Sequence, residues 1–347
     1  MLKVDIKKKY SGFNLEVQFE TEGETLALLG ASGCGKSMTL RCIAGVIKPD
    51  EGRISLNGRV FFDSAGHINL SPQKRRIGLL FQNYALFPGM TVEQNILTGL
   101  HREKGGSKKQ RLRALLDSFY LTGQRNHYPA QLSGGQQQRA ALARIIAGGP
   151  HLIMLDEPLS ALDSYLRWQL EQTLISALEQ FNGPAVYVSH NRDEVYRICR
   201  RVCIINNGKS EQTMDVKTLF VQPETFSAAL LSGCKNYSRA EKQGENTLFA
   251  LDWNCRITRP NLPENLRYIG LRAHYISLGQ NENTISCRVL RVTDDVFSTI
   301  LTVIPQGVPE TDFSRIRLEL PKTRIDGIAP GSILTIGFKS SDVLPLH

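Results

Sequence analysis

Short apolar runs alternate with amphipathic stretches along the first two thirds of the chain, and this pattern predicts a parallel α/β core. Residues 24–29 read as a buried strand, and 152–155, 185–188 and 202–205 are short, continuous and apolar, as strands covered on both faces should be. Residues 3–29 read as strands with turns at Ser11-Gly12 and Glu22-Gly23, and residues 53–62 as a hairpin around Asn57-Gly58. A further strand is expected over 77–81. From residue 83 to about 149 the period becomes helical. Leu112, Leu115, Leu116, Phe119 and Tyr120 fall at i, i+3, i+4, i+7 and i+8, one buried helix face. A closing helix is expected over 220–231. After Gly233 short β-rich pieces take over, notably 285–304 and 332–338, separated by Gly, Pro and Asn. The predicted organisation is a first domain of residues 1–232, with a helical part at about 83–150, and a smaller all-β domain of residues 233–347.

Composition narrows the class. At 41% apolar and 22% charged, the 347 residues can fill ordinary globular cores. No stretch approaches the roughly 20 consecutive apolar residues of a membrane span, and residues 1–5 lack a signal-peptide core, so the expected location is cytosolic with any membrane attachment borrowed from a partner. The formal charge is +9, but the longest basic run is Lys7-Lys8-Lys9 and no aromatic-interleaved basic module appears, so nucleic acid is not an expected partner. Seven cysteines form no C-x-x-C pair, which fits a reducing compartment rather than a disulfide or zinc framework.

Candidate chemistry starts at Gly30-Ala31-Ser32-Gly33-Cys34-Gly35-Lys36-Ser37, which fits the phosphate-cradling pattern G-x-x-x-x-G-K-[ST] between a strand and a helix. Successive loop amides and the helix N-terminus point at one anion there. Lys36 supplies a full positive charge to the outer phosphates and Ser37 a hydroxyl to Mg²⁺. Cys34 lies inside the loop, so its alkylation is expected to block nucleotide binding. The strand at 152–155 ends in Asp156-Glu157 and so delivers two carboxylates to the ligand crevice of an open α/β sheet. Asp156 is expected to reach the Mg²⁺, and Glu157 to hold or deprotonate the attacking water. Leu132-Ser133-Gly134-Gly135-Gln136 opens another helix, with Ser133 as cap and bared amides forming a second anion site. One nucleotide has one terminal phosphate, so the second site makes sense if it serves a neighbouring copy's nucleotide.

At these residues the chain resembles the ATPase subunits of ATP-binding-cassette transporters, whose signature Leu132–Gln136 matches. The resemblance covers about residues 1–231 and implies a P-loop NTPase fold with a helical insertion. It also implies ATP and Mg²⁺ as cofactors, and a head-to-tail homodimer in which each signature, Ser133, Gly134, Gly135 and Gln136, closes over the partner's ATP. Carried over residue by residue, it makes Gln82 a Mg²⁺ contact and sensor of the membrane partner, Asp163 in Ser160-Ala161-Leu162-Asp163 an interface residue, and His190 the switch histidine on the γ-phosphate. Tyr10 is implied as the aromatic that stacks on adenine, with Phe13 the competitor. Met38 stands where such cassettes commonly have threonine.

The single cassette with a β-rich tail of about 115 residues resembles bacterial importers. Asn57–Ser64, Leu70–Gly78 and Phe81–Pro88 look most like molybdate importer ATPases, and sulfate, iron and polyamine importers share much of this. The implied partners are two transmembrane permease subunits and an extracytoplasmic solute-binding protein, at the cytoplasmic face of the membrane. The tail reads either as an oxyanion sensor, with Arg272, His274 and Lys235 as contacts, or as a barrel-like dimer clamp. A more distant reading is a soluble cassette ATPase acting on ribosomes or in DNA repair.

Overall fold

Alternation builds the N-terminal hairpin. Leu2, Val4 and Ile6 of β1 (Leu2–Tyr10) are buried between exposed neighbours, and Leu15, Val17 and Phe19 repeat the pattern in β2 (Phe13–Thr21). The computed structural model describes residues 1–81, 83–103, 105–159, 164–322 and 327–347. They divide into two compact units, Met1–Lys217 and Thr218–His347.

In the first unit, β3 (Thr25–Leu29) runs through the loop 30–35 into α1 (Lys36–Ala44). The strands β4 (Glu51–Leu56), β5 (Arg59–Asp63) and β6 (Ile68–Asn69) follow, then the short α2 (Pro72–Arg75) and β7 (Ile77–Leu80). Arg75 of α2 is fully buried and donates to the carbonyls of Cys42 and Ile43 at 2.9 and 2.7 Å, satisfying the C-terminal end of α1. The helical insertion holds α3 (Val92–Gly99), α4 (Gly105–Ser118) and α5 (Gly134–Ala147). The chain then returns to the sheet through β8 (Leu152–Asp156), α6 (Ser164–Glu179), β9 (Ala185–Ser189), α7 (Arg192–Ile198), β10 (Arg201–Asn206), β11 (Lys209–Ser210) and β12 (Met214–Asp215).

These strands make one sheet in the order β6-β5-β4-β1-β2-β11-β10-β3-β9-β8-β7, with β12 beside β10. The half from β10 to β7 is parallel, as the apolar runs predict. The other half is mostly antiparallel, because the tight turns at Ser11-Gly12 and Asn57-Gly58 join neighbours directly and leave no crossover length. Register places Leu29 opposite Ser189, and Asp156 opposite Val188. The carboxyl ends of β3, β9 and β8 therefore lie side by side, and everything that follows them in sequence emerges at one sheet edge.

Two helical expectations need correction. Residues 83–91 form a loop, not a helix: Tyr84 and Ala85 are both left-handed, at φ 57 and 46. Arg144 of α5 donates to their carbonyls at 3.3 and 2.7 Å and lies over the Phe87 ring at 5.3 Å. The helix α3 starts only at a Thr91–Gln94 capping box. Leu112, Leu115, Leu116 and Phe119 are buried as expected, but α4 ends at Ser118, and Tyr120, turned to φ 52, is 73% exposed.

The second unit starts before the expected boundary near 232. The helix expected over 220–231 is two helices, α8 (Val216–Val221) and α9 (Phe226–Leu231), because Pro223 interrupts it and Thr225 caps a fresh start. Phe226 of α9 packs on Tyr237 and Tyr268, with ring centroids 4.8 and 4.9 Å away, and its amide donates to the carbonyl of His347 at 3.2 Å. So α9 belongs to the second unit's core.

That unit is all-β apart from short helical turns. The strands β13 (Asn236–Lys242), β14 (Thr247–Ala250), β15 (Cys255–Thr258), β16 (Tyr268–Leu271), β17 (Ser277–Leu278), β18 (Asn283–Asp294), β19 (Ser298–Pro305), β20 (Ile316–Pro321), β21 (Ile333–Phe338) and β22 (Val343–Leu346) make two five-stranded sheets. One has the order β15-β14-β13-β16-β22 and the other β17-β21-β18-β19-β20, and a single core of Leu248, Trp253, Ile269, Val289, Leu301 and Ile336 fills the space between them. Buried Asn236 stitches the sheets, exchanging hydrogen bonds of 2.9 and 2.7 Å with the backbone of Arg317.

Candidate functional site

The loop 30–35 is shaped by steric necessity. A Cβ on Gly30 would lie 2.2 Å from the Ile205 carbonyl oxygen of β10, so only glycine lets β3 turn out of the sheet there. Gly33 and Gly35 take φ 78 and 110, which folds the chain back before α1 begins. Ala31, Ser32 and Gly33 are exposed on the loop, and half-buried Met38 packs against the core behind it.

Lys36 is only 5% exposed, and its Nζ donates to the carbonyls of Gly30 and Ala31, both at 2.8 Å. Among the described residues no carboxylate pairs with it. A buried ammonium held by neutral dipoles alone is costly, and an anion is the partner that relieves the cost. Cys34 is 7% exposed, with its Sγ 3.7 Å from Nζ, so the thiol faces inward rather than lining an open surface.

Two hydrogen bonds join elements distant in sequence at the sheet edge. Ser37 Oγ donates to Asp156 Oδ1 at 2.8 Å, across 119 positions. His190 Nδ1 lies 3.2 Å from Glu157 Oε1. Burial pushes the Asp156 carboxyl above its ordinary value; the Ser37 hydroxyl partly opposes this, and the neighbouring Glu157 charge adds to it. Glu157 sits at φ 48 just beyond β8, tied by its amide to the Val188 carbonyl at 3.0 Å. The hydroxyl and carboxylate of Ser37 and Asp156 are hard oxygen donors, which suit Mg²⁺.

Ser133 caps α5, as its sequence position predicts. Its Oγ accepts from the Gln136 amide at 3.3 Å, and Gln136 Oε1 accepts from the Ser133 amide at 3.0 Å. Gly134 is exposed with open space where a Cβ would stand, and Gly135 is buried. These residues sit in the helical insertion, on a different element from the loop 30–37. Tyr10 is 37% exposed with Lys8 Nζ 5.6 Å from its ring, whereas Phe13 packs into the core and against Gly35. Gln82 and Asp163, with the rest of 160–163, lie outside the described residues.

The tail candidates do not form a site of the expected kind. Arg272 is 7% exposed; its guanidinium donates to the Ser232 carbonyl at 2.8 Å, the Phe220 carbonyl at 2.6 Å and the Ser232 hydroxyl at 3.0 Å. Those bonds commit it to holding the segment around α9. Lys235 and His274 are exposed.

Some residues carried no sequence expectation. Buried Gln138 of α5 donates through Nε2 to the Pro158 carbonyl, beside Asp156 and Glu157. Tyr187 and Ser189 of β9 both donate to Glu194 of α7. The only available signal was proximity to the recognisable residues.

Comparison with known proteins points to one family. A family model described as ABC transporter matches residues 13–160. The chain is 40% identical over 259 residues to the Fe(3+) ions import ATP-binding protein FbpC of Haemophilus influenzae, covering 74% of this chain and 73% of that protein. It is 44% identical over 225 residues to the sulfate/thiosulfate import ATP-binding protein CysA 2 of Chromobacterium violaceum, covering 64% and 60%. It is 38% identical over 245 residues to the spermidine/putrescine import ATP-binding protein PotA of Bacillus cereus, covering 68% and 72%. Among solved structures, the dimeric post-hydrolysis state of the ATP-binding cassette MJ0796 bound to ADP and Pi aligns with a TM-score of 0.53 at 29% identity, over 62% of this chain and 99% of that one.

Proposed function

Because the chain belongs to the family of ATP-binding subunits of ABC importers, we propose that it hydrolyses ATP in a head-to-tail homodimer and so drives uptake of a small solute through two permease subunits. The reading is supported above all by the Ser37–Asp156 and Glu157–His190 contacts at 2.8 and 3.2 Å, between groups suited to holding a metal and activating a water, and by buried Lys36, which among the described residues has no carboxylate partner. In this reading Lys36 and the amides of the loop 30–37 grip the phosphates, while Tyr10 stacks on adenine. Ser37, Asp156 and Gln82 would hold Mg²⁺, which when bound supplies neutralising charge on the phosphate oxygens. Glu157 accepts the proton of the attacking water, and His190 steadies Glu157 and the terminal phosphate. Ser133–Gln136 of one copy face the nucleotide of the other, with Asp163 at the interface.

The three relatives' names span a metal cation, an oxyanion and polyamines. ATPase chemistry is thus compatible with solutes of either sign, and selection falls to the permease and an extracytoplasmic binding protein. We favour ferric iron, sulfate or a polyamine over molybdate, since those are the solutes of the relatives. The protein then works at the cytoplasmic membrane face. In this reading its permease holds it there; among the described residues no helix is long and apolar enough to cross a membrane. The second unit is read as a regulatory or dimerisation module, with Arg272 a structural tie rather than a ligand contact.

The test is Glu157→Gln. It should bind ATP with wild-type affinity, accumulate as an ATP-bound dimer on size exclusion, and lose at least about 100-fold in turnover. Near-normal turnover would remove Glu157 from its role.

A further inference from the structure

Behind His190 lies a buried carboxylate that the proposed reaction does not use. Glu194 is 3% exposed. Its Oε2 accepts from the Tyr187 hydroxyl at 3.0 Å and the Ser189 hydroxyl at 2.9 Å. Tyr187 is fully buried and Ser189 is 3% exposed, so neither hydroxyl has water as an alternative partner.

Ser189 Oγ has a second task. It accepts from the amide of Asn191 at 2.9 Å, spanning His190. Asn191 in turn caps α7, its Oδ1 accepting from the amides of Asp193 and Glu194 at 2.9 and 3.4 Å. The residues on both sides of His190 are thereby tied to one buried anchor, while the His190 side chain is left 60% exposed and reaches Glu157. A histidine on a free turn would sample many positions; this one hangs from a turn fixed at both ends.

We propose that Ser189 and Glu194 are positioning residues for His190. Together they hold the turn that sets the imidazole against Glu157. Neither touches the reacting atoms. The inference rests on the reading of His190 and Glu157 given above. It extends that reading to two residues on the far side of the turn.

A misplacement of about 1 Å at a catalytic group costs on the order of 100-fold in rate without a matching loss of binding. Ser189→Ala removes both bonds of that hydroxyl but leaves the Asn191 cap on α7, so the ring should shift by less. Ser189→Ala in the full-length protein should therefore lower kcat about tenfold while the KM for ATP stays within about twofold. Ser189→Thr, which restores a hydroxyl on the same carbon, should recover kcat to within about twofold of wild type. A merely structural role would lower stability without that split between kcat and KM. Ser189→Ala with unchanged kcat overturns the proposal, and so does Ser189→Thr as impaired as the alanine variant. His190→Ala is the control: if it turns over normally, the role of His190 itself fails. If it is inactive while Ser189→Ala is unaffected, only the positioning role falls.

Discussion

Replacing Ser133 by alanine separates two roles of one side chain, because their magnitudes differ widely. Within its own chain Ser133 is a helix cap. Its Oγ bond from the Gln136 amide is long, at 3.3 Å, and the reciprocal bond from Gln136 Oε1 to the Ser133 amide survives the substitution. The local loss is therefore about 0.5–1 kcal/mol. For a unit the size of Met1–Lys217 that lowers the melting midpoint by only about 1–4 °C. In the proposed head-to-tail dimer the same residue would face the partner's terminal phosphate, where one lost donor to developing charge would cost about 2.7–4 kcal/mol, or 100- to 1,000-fold in turnover. Mixed dimers carrying Lys36→Ala and Ser133→Ala, purified through two tags, distinguish the roles by single-turnover hydrolysis. With both substitutions in one chain, each composite site is damaged and only trace hydrolysis should remain. With the substitutions in different chains, both lesions fall on the same composite site and the other is intact, so hydrolysis should be about 100-fold higher. The inverse ranking, with the doubly substituted chain giving the active dimer, would refute action across the interface.

Other expectations follow from packing and charge. Gly30→Ala places a Cβ 2.2 Å from the Ile205 carbonyl oxygen and 2.6 Å from Cys34 Sγ, so the loop must move. Stability should fall by about 1–3 kcal/mol, and a fluorescent ATP analogue should bind at least about tenfold more weakly. Asp252 pairs with Arg239 at 2.6 Å; burial pushes its carboxyl up, but the side-chain and backbone hydrogen bonds from Arg239 outweigh this and hold it below the usual range. Its folded value is thus lower than its unfolded one, so the stabilisation is complete above the ordinary carboxylate range and is lost as pH falls through the depressed value. Asp252→Asn should flatten the acid limb of the second unit's stability, read by circular dichroism between about pH 5 and 2.

The residues of the candidate site were legible because their rules are local. Gly30–Ser37 needs only a strand before it and a helix after it, and Asp156-Glu157 needs only a strand end. The 119-residue separation of Ser37 and Asp156 did not matter, since parallel strands bring all their carboxyl ends to one edge. What failed depended on where a donor finds its acceptor. Arg272 reads as a free cation in sequence, yet its guanidinium is used up by Ser232 and Phe220. Glu194 reads as an ordinary acid in a first helical turn, and only the packing of α7 shows it buried under two hydroxyls. Tyr120 fits the helical period, but the helix stops two residues earlier. The hairpins at Ser11-Gly12 and Asn57-Gly58 were legible from their turns and, in β1 and β2, from alternation, but nothing local says that they join the parallel strands in one sheet.

The strand order has a consequence for biosynthesis. β3, which carries the phosphate loop, finds both of its neighbours only in β9 and β10, with Thr25 paired to Ala185 and Leu26 to Arg201. At about 5–20 residues per second, a ribosome takes roughly 10–30 s to travel from one partner to the other. Through that interval the nascent glycine-rich segment has no sheet to hold it, and the ribosome must deliver some 200 residues before the newborn chain can grip its first nucleotide.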